Sequence, residues 1–160
     1  MRETAEELQK ILHKFGSLLT LIEEDEASFK PAPDKWSKKE ILGHLIDSAC
    51  NNQQKFVRSM AEKRVDFVGY RQNHWVDSQK YNARGWQELL VFWTLYNLHL
   101  AHIIENVAPE TLTNEITIEG AGTFTLEFIM KDYVEHLKHH LKQILPDADL
   151  PNNFQNIYNT

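Results

Sequence analysis

The residues of this chain best suited to chemistry are histidines, of which it holds eight. Ile129, Tyr133, His136, His140 and Ile144 advance by 4, 3, 4 and 4 residues, which at about 100° per residue is one stripe of a helix. His136 and His140 therefore lie inside an apolar stripe, while His139 points outward. Imidazoles at i and i+4 stand one turn apart, the spacing from which two ligands of one helix reach a single divalent cation. Two core-edge histidines donating to backbone or carboxylate groups satisfy the same pattern equally well. A third histidine, His44 in Gly43-His44-Leu45-Ile46-Asp47, flanks the apolar stripe of another segment, with Ser48, Asn51 and Asn52 one and two turns on. Such a polar seam either faces water or lines a cavity. Facing the segment of His136, it would let three neutral imidazoles converge on one ion and leave a fourth position open, as in catalytic sites. Alone, His44 reads as a surface histidine near a helix start.

Four helices must position these groups. The first, residues 4–24, carries Leu8, Ile11, Leu12, Phe15, Leu19 and Ile22 at helical spacing, with Thr4 and Glu7 in the places of a capping box. Pro31 and Pro33 mark the following stretch, 25–35, as a loop. The second helix, 38–60, has the strongest start signal: Ser37 as N-cap, Glu40 three residues on, and Trp36 with Ile41 as a hydrophobic staple. Residues 62–84 lose periodicity and read as a long loop or short irregular helix, and loops of that length are often functional. The third helix, 85–107, is heavily aromatic and stops at Pro109. Alternation around Gly120 and Gly122 between 111 and 125 permits a short hairpin. The fourth helix starts at a Thr125 cap and runs to 144, before Pro146. Residues 147–160 form a polar tail with Leu150, Phe154, Ile157 and Tyr158 as anchors. Each helix is about 30 Å long with one apolar stripe, which suits an all-α four-helix bundle over residues 1–146.

Composition narrows the partners. The formal net charge is −6 and no run of basic residues interrupts it, so nucleic acid is not an expected partner. No window approaches the length that spans a bilayer, and the start of the chain is acidic and polar, so no membrane association is expected. The single cysteine, Cys50, cannot form an internal disulfide and fits a reducing compartment. The expectation is a cytoplasmic protein.

The stretches Trp36-Ser37-Lys38-Lys39-Glu40-Ile41-Leu42-Gly43-His44-Leu45-Ile46-Asp47 and Asp132-Tyr133-Val134-Glu135-His136-Leu137-Lys138-His139-His140-Leu141-Lys142-Gln143-Ile144 resemble the DinB-like superfamily of metal-dependent enzymes, from the first helix to about residue 145. The resemblance implies an up-down-down-up bundle, in keeping with the long crossover between the second and third helices. It implies that His44, His136 and His140 ligate a divalent metal, commonly zinc or nickel. The superfamily contains hydrolases, thiol-dependent transferases and isomerases. The resemblance therefore implies a metal-dependent hydrolase or transferase acting on a small molecule without fixing the reaction, since fold does not supply function.

Such an ion would lower the pKa of a bound water or activate a substrate thiol, and either step needs an acid or base nearby. Asp47 and Asp132 are the candidates. Asp132, one turn before His136, is the better placed to orient an imidazole, and Asp47 is expected to be solvated. Tyr70, Arg71, His74 and Trp75 could wall a pocket and bind substrate. The bland reading of that segment, slightly favoured over a fourth-ligand role for His74, is a packed crossover with Trp75 as a plug and His74 exposed. The rival to an enzyme is a non-catalytic metal or small-ligand binding bundle, a homodimer pairing through helix surfaces with His99, His102 and Phe92.

Overall fold

The computed structural model describes residues 1–156; Ile157 and Tyr158, expected as anchors of the tail, lie outside the described residues. The four long helices form as α1 (Arg2–Leu19), α3 (Lys38–Ala61), α5 (Trp86–Glu105) and α6 (Leu126–Ile144), with two short ones, α2 (Glu24–Ser28) and α4 (Gln72–Gln79). The start signals of the second and fourth expected helices are realised. Ser37 Oγ accepts from the Glu40 N–H while the Glu40 carboxylate accepts from Ser37 N–H, and Thr125 accepts from Phe128 N–H.

α1 departs from expectation at both ends. It begins at Arg2 rather than Thr4, because Ala5 is buried and its N–H bonds the Met1 carbonyl, so the Thr4–Glu7 capping box does not form. It ends at Leu19 rather than 24, and part of the expected loop becomes α2. Glu24, the first residue of α2, is drawn into a different task. Its carboxylate pairs with the buried Lys39 ammonium and accepts from Trp86 N–H at 2.9 Å, tying the starts of α3 and α5 to one point. The Trp86 indole N–H donates to the Leu19 carbonyl at 2.9 Å, which brings the end of α1 to the same place.

The segment 62–84 is more ordered than its composition suggests. Arg64–Phe67 forms a strand, β1, ahead of α4 and a 3-10 turn at Tyr81–Ala83. The expected hairpin is present as β2 (Glu115–Ile118) and β3 (Gly122–Thr125), with Gly120 and Gly122 at positive φ in and just after its turn. β1 pairs in parallel with β2, so the hairpin becomes a three-stranded sheet in the order β1-β2-β3. Asn114 Nδ2–H donates to the Ser59 carbonyl at 2.7 Å, fixing this sheet to the far end of α3.

Between the helices lies one apolar core with Trp86, Trp93, Phe56 and Tyr133 among its largest fully buried side chains. The Tyr133 hydroxyl is satisfied by Asn97, whose amide in turn donates to the Trp93 carbonyl at 2.8 Å. No helix among the described residues is long and apolar enough to cross a membrane. The tail does not stand off the bundle. Leu150 is buried, Asn153 N–H donates to the Glu135 carboxylate, and Phe154 lies against α6.

Candidate metal centre

The capped start of α3 lies against the last turns of α6, and this brings His44 to His136 and His140. The Nε2 atoms of His44 and His136 are 3.3 Å apart. Ring centroids are 4.6 Å apart for His44 and His140 and 4.5 Å for His136 and His140. One ligating nitrogen from each of the three lies within 4.8 Å of the others. Two nitrogens each 2.0–2.1 Å from one zinc at the tetrahedral angle stand roughly 3.3 Å apart, so the His44–His136 pair already spans one edge of such a site.

The protonation state suits ligation. Burial, helped by the neighbouring His140, holds His44 down to about 3, and His44 has no solvent-exposed surface. Burial likewise lowers His140 to about 4, and it puts His136 well below the ordinary histidine value, with the other rings adding to the effect. All three are neutral imidazoles at pH 7 and can offer a lone pair. With Gln143 Oε1 at 3.0 Å as acceptor, His140 carries its proton on Nδ1, which leaves Nε2 free to ligate. Ser48 Oγ lies 3.4 Å from His136 Nδ1 and is itself held by the Asn52 amide. Such partners set ring orientation in metal sites.

His44 Nδ1 is buried without a hydrogen-bond partner, and the Trp36 ring lies against this imidazole at 5.1 Å between centroids. The ring is therefore held by packing. Where two neutral Nε2 atoms face each other, one proton can bridge them, and a third lone pair at the same place makes a donor set suited to a cation. The donor set fits a divalent ion with three imidazole ligands and an open position.

One of the two candidate acids departs from expectation. Asp47 is buried rather than solvated. Its Oδ1 accepts from Tyr81 O–H and Gln79 Nε2–H, both at 2.6 Å, while Oδ2 is buried without a partner. Burial pushes its carboxyl upward, against those two hydrogen bonds. Asp132 stands beside the buried Lys55 ammonium, whose pKa burial lowers to about 8 against the pull of Asp132. At His136 Nδ1 the hydrogen-bond partner is Ser48 Oγ.

A small cavity of about 70 Å³ opens beside His136, lined among others by Ser48, Asn52, Lys55, Tyr70, Asp132 and Tyr133. Tyr70 is thus at the site, but Arg71, His74 and Trp75 are not among the residues lining this cavity. His74 is exposed and lies 3.4 Å from Ser78 Oγ, while Trp75 packs edge-on against the Tyr70 ring at 5.1 Å. A wider cleft of about 610 Å³, lined by Phe29, Trp36, Ile41, Asn73 and Gln143, reaches the histidines through Trp36 on His44 and Gln143 on His140. Reading the sequence for a pocket missed Trp36, Gln143, Lys55 and Phe154. The signal for Gln143 was available, since it sits one turn beyond His140 and two turns beyond His136. Phe154, whose ring is 5.1 Å from that of His136, gave none.

Comparison with known proteins bears on the same residues. A family model described as the DinB superfamily matches residues 7–144. A solved structure described as YfiT from Bacillus subtilis, a probable metal-dependent hydrolase with an unusual four-helix bundle topology, superposes with a TM-score of 0.81 at 16% identity. The match covers 90% of this chain and 83% of that one. At that identity the likeness shows the four-helix bundle fold. No curated protein sequence matches.

Proposed function

This chain belongs to the DinB superfamily, and from that premise we propose that it is a divalent-metal-dependent enzyme, a hydrolase or thiol-dependent transferase, acting on a small molecule. The observation that carries the reading is the convergence of His44, His136 and His140 from two helices on one point. The solved neighbour's description as a probable metal-dependent hydrolase is consistent with it. The up-down-down-up helix order belongs to the same reading. It is supported by the meeting of the end of α1 with the start of α5 at Leu19 and Trp86, and of the starts of α3 and α5 at Glu24.

A zinc or nickel ion held by the three Nε2 atoms would supply Lewis acidity and a lowered pKa for water or thiol. The chain's own residues do the rest. Gln143 keeps the proton of His140 on Nδ1, Ser48 steadies His136, and the Trp36 ring covers His44 from solvent. Lys55, with Asp132 beside it, places a proton donor in the cavity next to His136. The body of the substrate lies in the cleft of Phe29 and Trp36, or against Tyr70 in the smaller cavity.

Metal analysis of the purified protein tests the ligand set. His44→Ala, His136→Ala and His140→Ala each lower bound divalent metal sharply and His139→Ala does not; equal metal in all four ends the assignment. Turnover of esters, amides or thiol conjugates by the metal-loaded protein and not by the stripped one separates an enzyme from a metal-binding bundle.

A further inference from the structure

From Ser48 to Lys55, α3 is unusually polar for a helix inside a bundle. Ser48, Asn52 and Lys55 advance by four and three residues, with Asn51 alongside, and therefore share one face of the helix. That face lines the cavity of about 70 Å³ beside His136, whose other walls include Phe67, Ile118 and Tyr133. Asn51 and Asn52 give amide N–H groups to carbonyls of their own helix, on Asp47 at 2.8 Å and on Ser48 at 2.9 Å. Lys55 supplies the one ammonium or guanidinium among the described lining residues, and it is only 9% exposed. Lysine ordinarily carries its ammonium out to water, and one kept inside costs free energy unless an anion meets it. Asp132, which lines the same cavity, meets part of that need. An ammonium has three N–H groups, enough for an acid of its own protein and a second anion together.

We propose that this cavity is the subsite for a carboxylate carried by the substrate, with Lys55 as the residue that selects it. The proposal rests on the reading of His44, His136 and His140 as a metal centre, and it adds the chemical class of what lies beside that centre: a small carboxylic acid derivative. Size and charge both point there. A water needs about 10–15 Å³ of such room, so the cavity takes about five waters, or a carboxylate with one or two carbons behind it. Lys55 and Asp132 offset each other, and Glu119 is solvent-exposed. The three neutral imidazoles leave the charge of a bound cation whole, because no carboxylate joins their cluster among the described residues. An anion is therefore favoured, and a substrate ammonium would be opposed by Lys55. The walls decide between anions. A phosphate calls for donors on every side and is commonly met by Arg. Phe67, Val68, Ile118 and Ala121 offer only apolar side chains, which suit the carbons behind a carboxylate.

Propionate is the test ligand, titrated into the zinc-loaded, ¹⁵N-labelled full chain, with propionamide as its uncharged counterpart. Shifts of the Gly69 and Ala121 amide signals, from residues lining the cavity, read its occupancy. The wild type is expected to bind propionate at least tenfold more tightly than propionamide. Lys55→Met, which keeps the length and removes the charge, weakens propionate by about tenfold or more and abolishes that preference. The double variant Lys55→Met, Asp132→Asn leaves no lone charge in the cavity and gives the same answer where the single variant does not fold. Propionate that binds these variants as tightly as the wild type, with zinc still held, overturns the proposal and leaves the metal centre standing. So does a zinc-loaded wild type that binds no propionate. A wild type that takes up no zinc fails the metal reading by itself. The same titration of that zinc-free chain still decides the role of Lys55: binding that depends on it supports the subsite, and its absence overturns it.

Discussion

Gly43 and Tyr81 occupy each other's space: a Cβ on Gly43 would lie 2.1 Å from Cδ2 of the Tyr81 ring. A glycine in mid-helix ordinarily costs about 0.5–1 kcal/mol relative to alanine. Here it lets the crossover segment lie flat on α3 beside His44, so that the Tyr81 hydroxyl reaches Asp47 at 2.6 Å. Gly43→Ala gains helix propensity but forces the ring away, and overpacking at about 1–3 kcal/mol wins. Urea denaturation is expected to show a net loss of about 1–2 kcal/mol. Tyr81→Phe, which keeps the ring and removes only the donor to a buried carboxylate, costs a similar amount. Unchanged midpoints for both would mean that the crossover is held elsewhere.

The three ligand candidates make the metal-free protein acid-sensitive. Their folded pKa values lie below the unfolded value near 6.5, with His44 at about 3 and His140 at about 4. The unfolded chain therefore binds more protons at lower pH. The stabilisation is complete above about 6.5 and is lost as pH falls toward 4, with a slope of up to about 1.4 kcal/mol per pH unit for each proton taken up. Glu24 and Glu127, held down by Lys39 and Lys131, contribute in the same direction at the acid end, and Asp47, pushed up by burial, opposes them. The diagnostic is thus the comparison with His44→Leu, which fills similar space without titrating. Its stability between pH 6.5 and 4.5 should fall less steeply than the wild type's, by about one proton. Parallel curves would show that His44 is not held neutral by the fold.

Much of the bundle was legible because its determinants are local. The Ser37–Glu40 box and the apolar stripes of the long helices lie within a few residues of one another, and so does the 4-residue spacing of His136 and His140. The joining of His44 to that pair was legible only as a conditional, since nothing in a single strip of sequence says which way a polar seam faces. What escaped was non-local. β1 has four residues and is defined by pairing with residues 115–118, about fifty positions away. The fate of Asp47 depends on Tyr81 crossing Gly43, and a glycine flanked by helix formers was the one hint of that close approach. Glu24 lies outside the first helix, where Lys39 and the Trp86 N–H each hold one oxygen of its carboxylate.

The groups behind the ligands should matter in proportion to their contact. Ser48→Ala and Gln143→Ala remove the partners of His136 Nδ1 and His140 Nδ1, and each is expected to weaken zinc affinity by about tenfold, the lower end for such partners. Competition with a chromogenic chelator measures this. Asp132→Asn, which leaves the Ser48 contact in place, is expected to change the affinity less. A larger loss from Asp132→Asn than from Ser48→Ala would return the orienting role to the carboxylate.

The tail should govern how fast the ion exchanges. The Phe154 ring lies 5.1 Å from that of His136 and 5.2 Å from that of His139, and Asn153 N–H on Glu135 pins the chain just before it. Phe154 donates nothing to a cation, so its removal leaves the ligand set intact, but an apolar cover over a ligand ring limits the access of water and chelator to the site. Phe154→Ala is therefore expected to speed metal loss to excess chelator by about threefold to tenfold, and to speed metal uptake by a similar factor, with the equilibrium affinity nearly unchanged. Stopped-flow exchange separates these quantities. A drop in affinity at constant association rate would mean that the aromatic ring supports His136 and does not cover it.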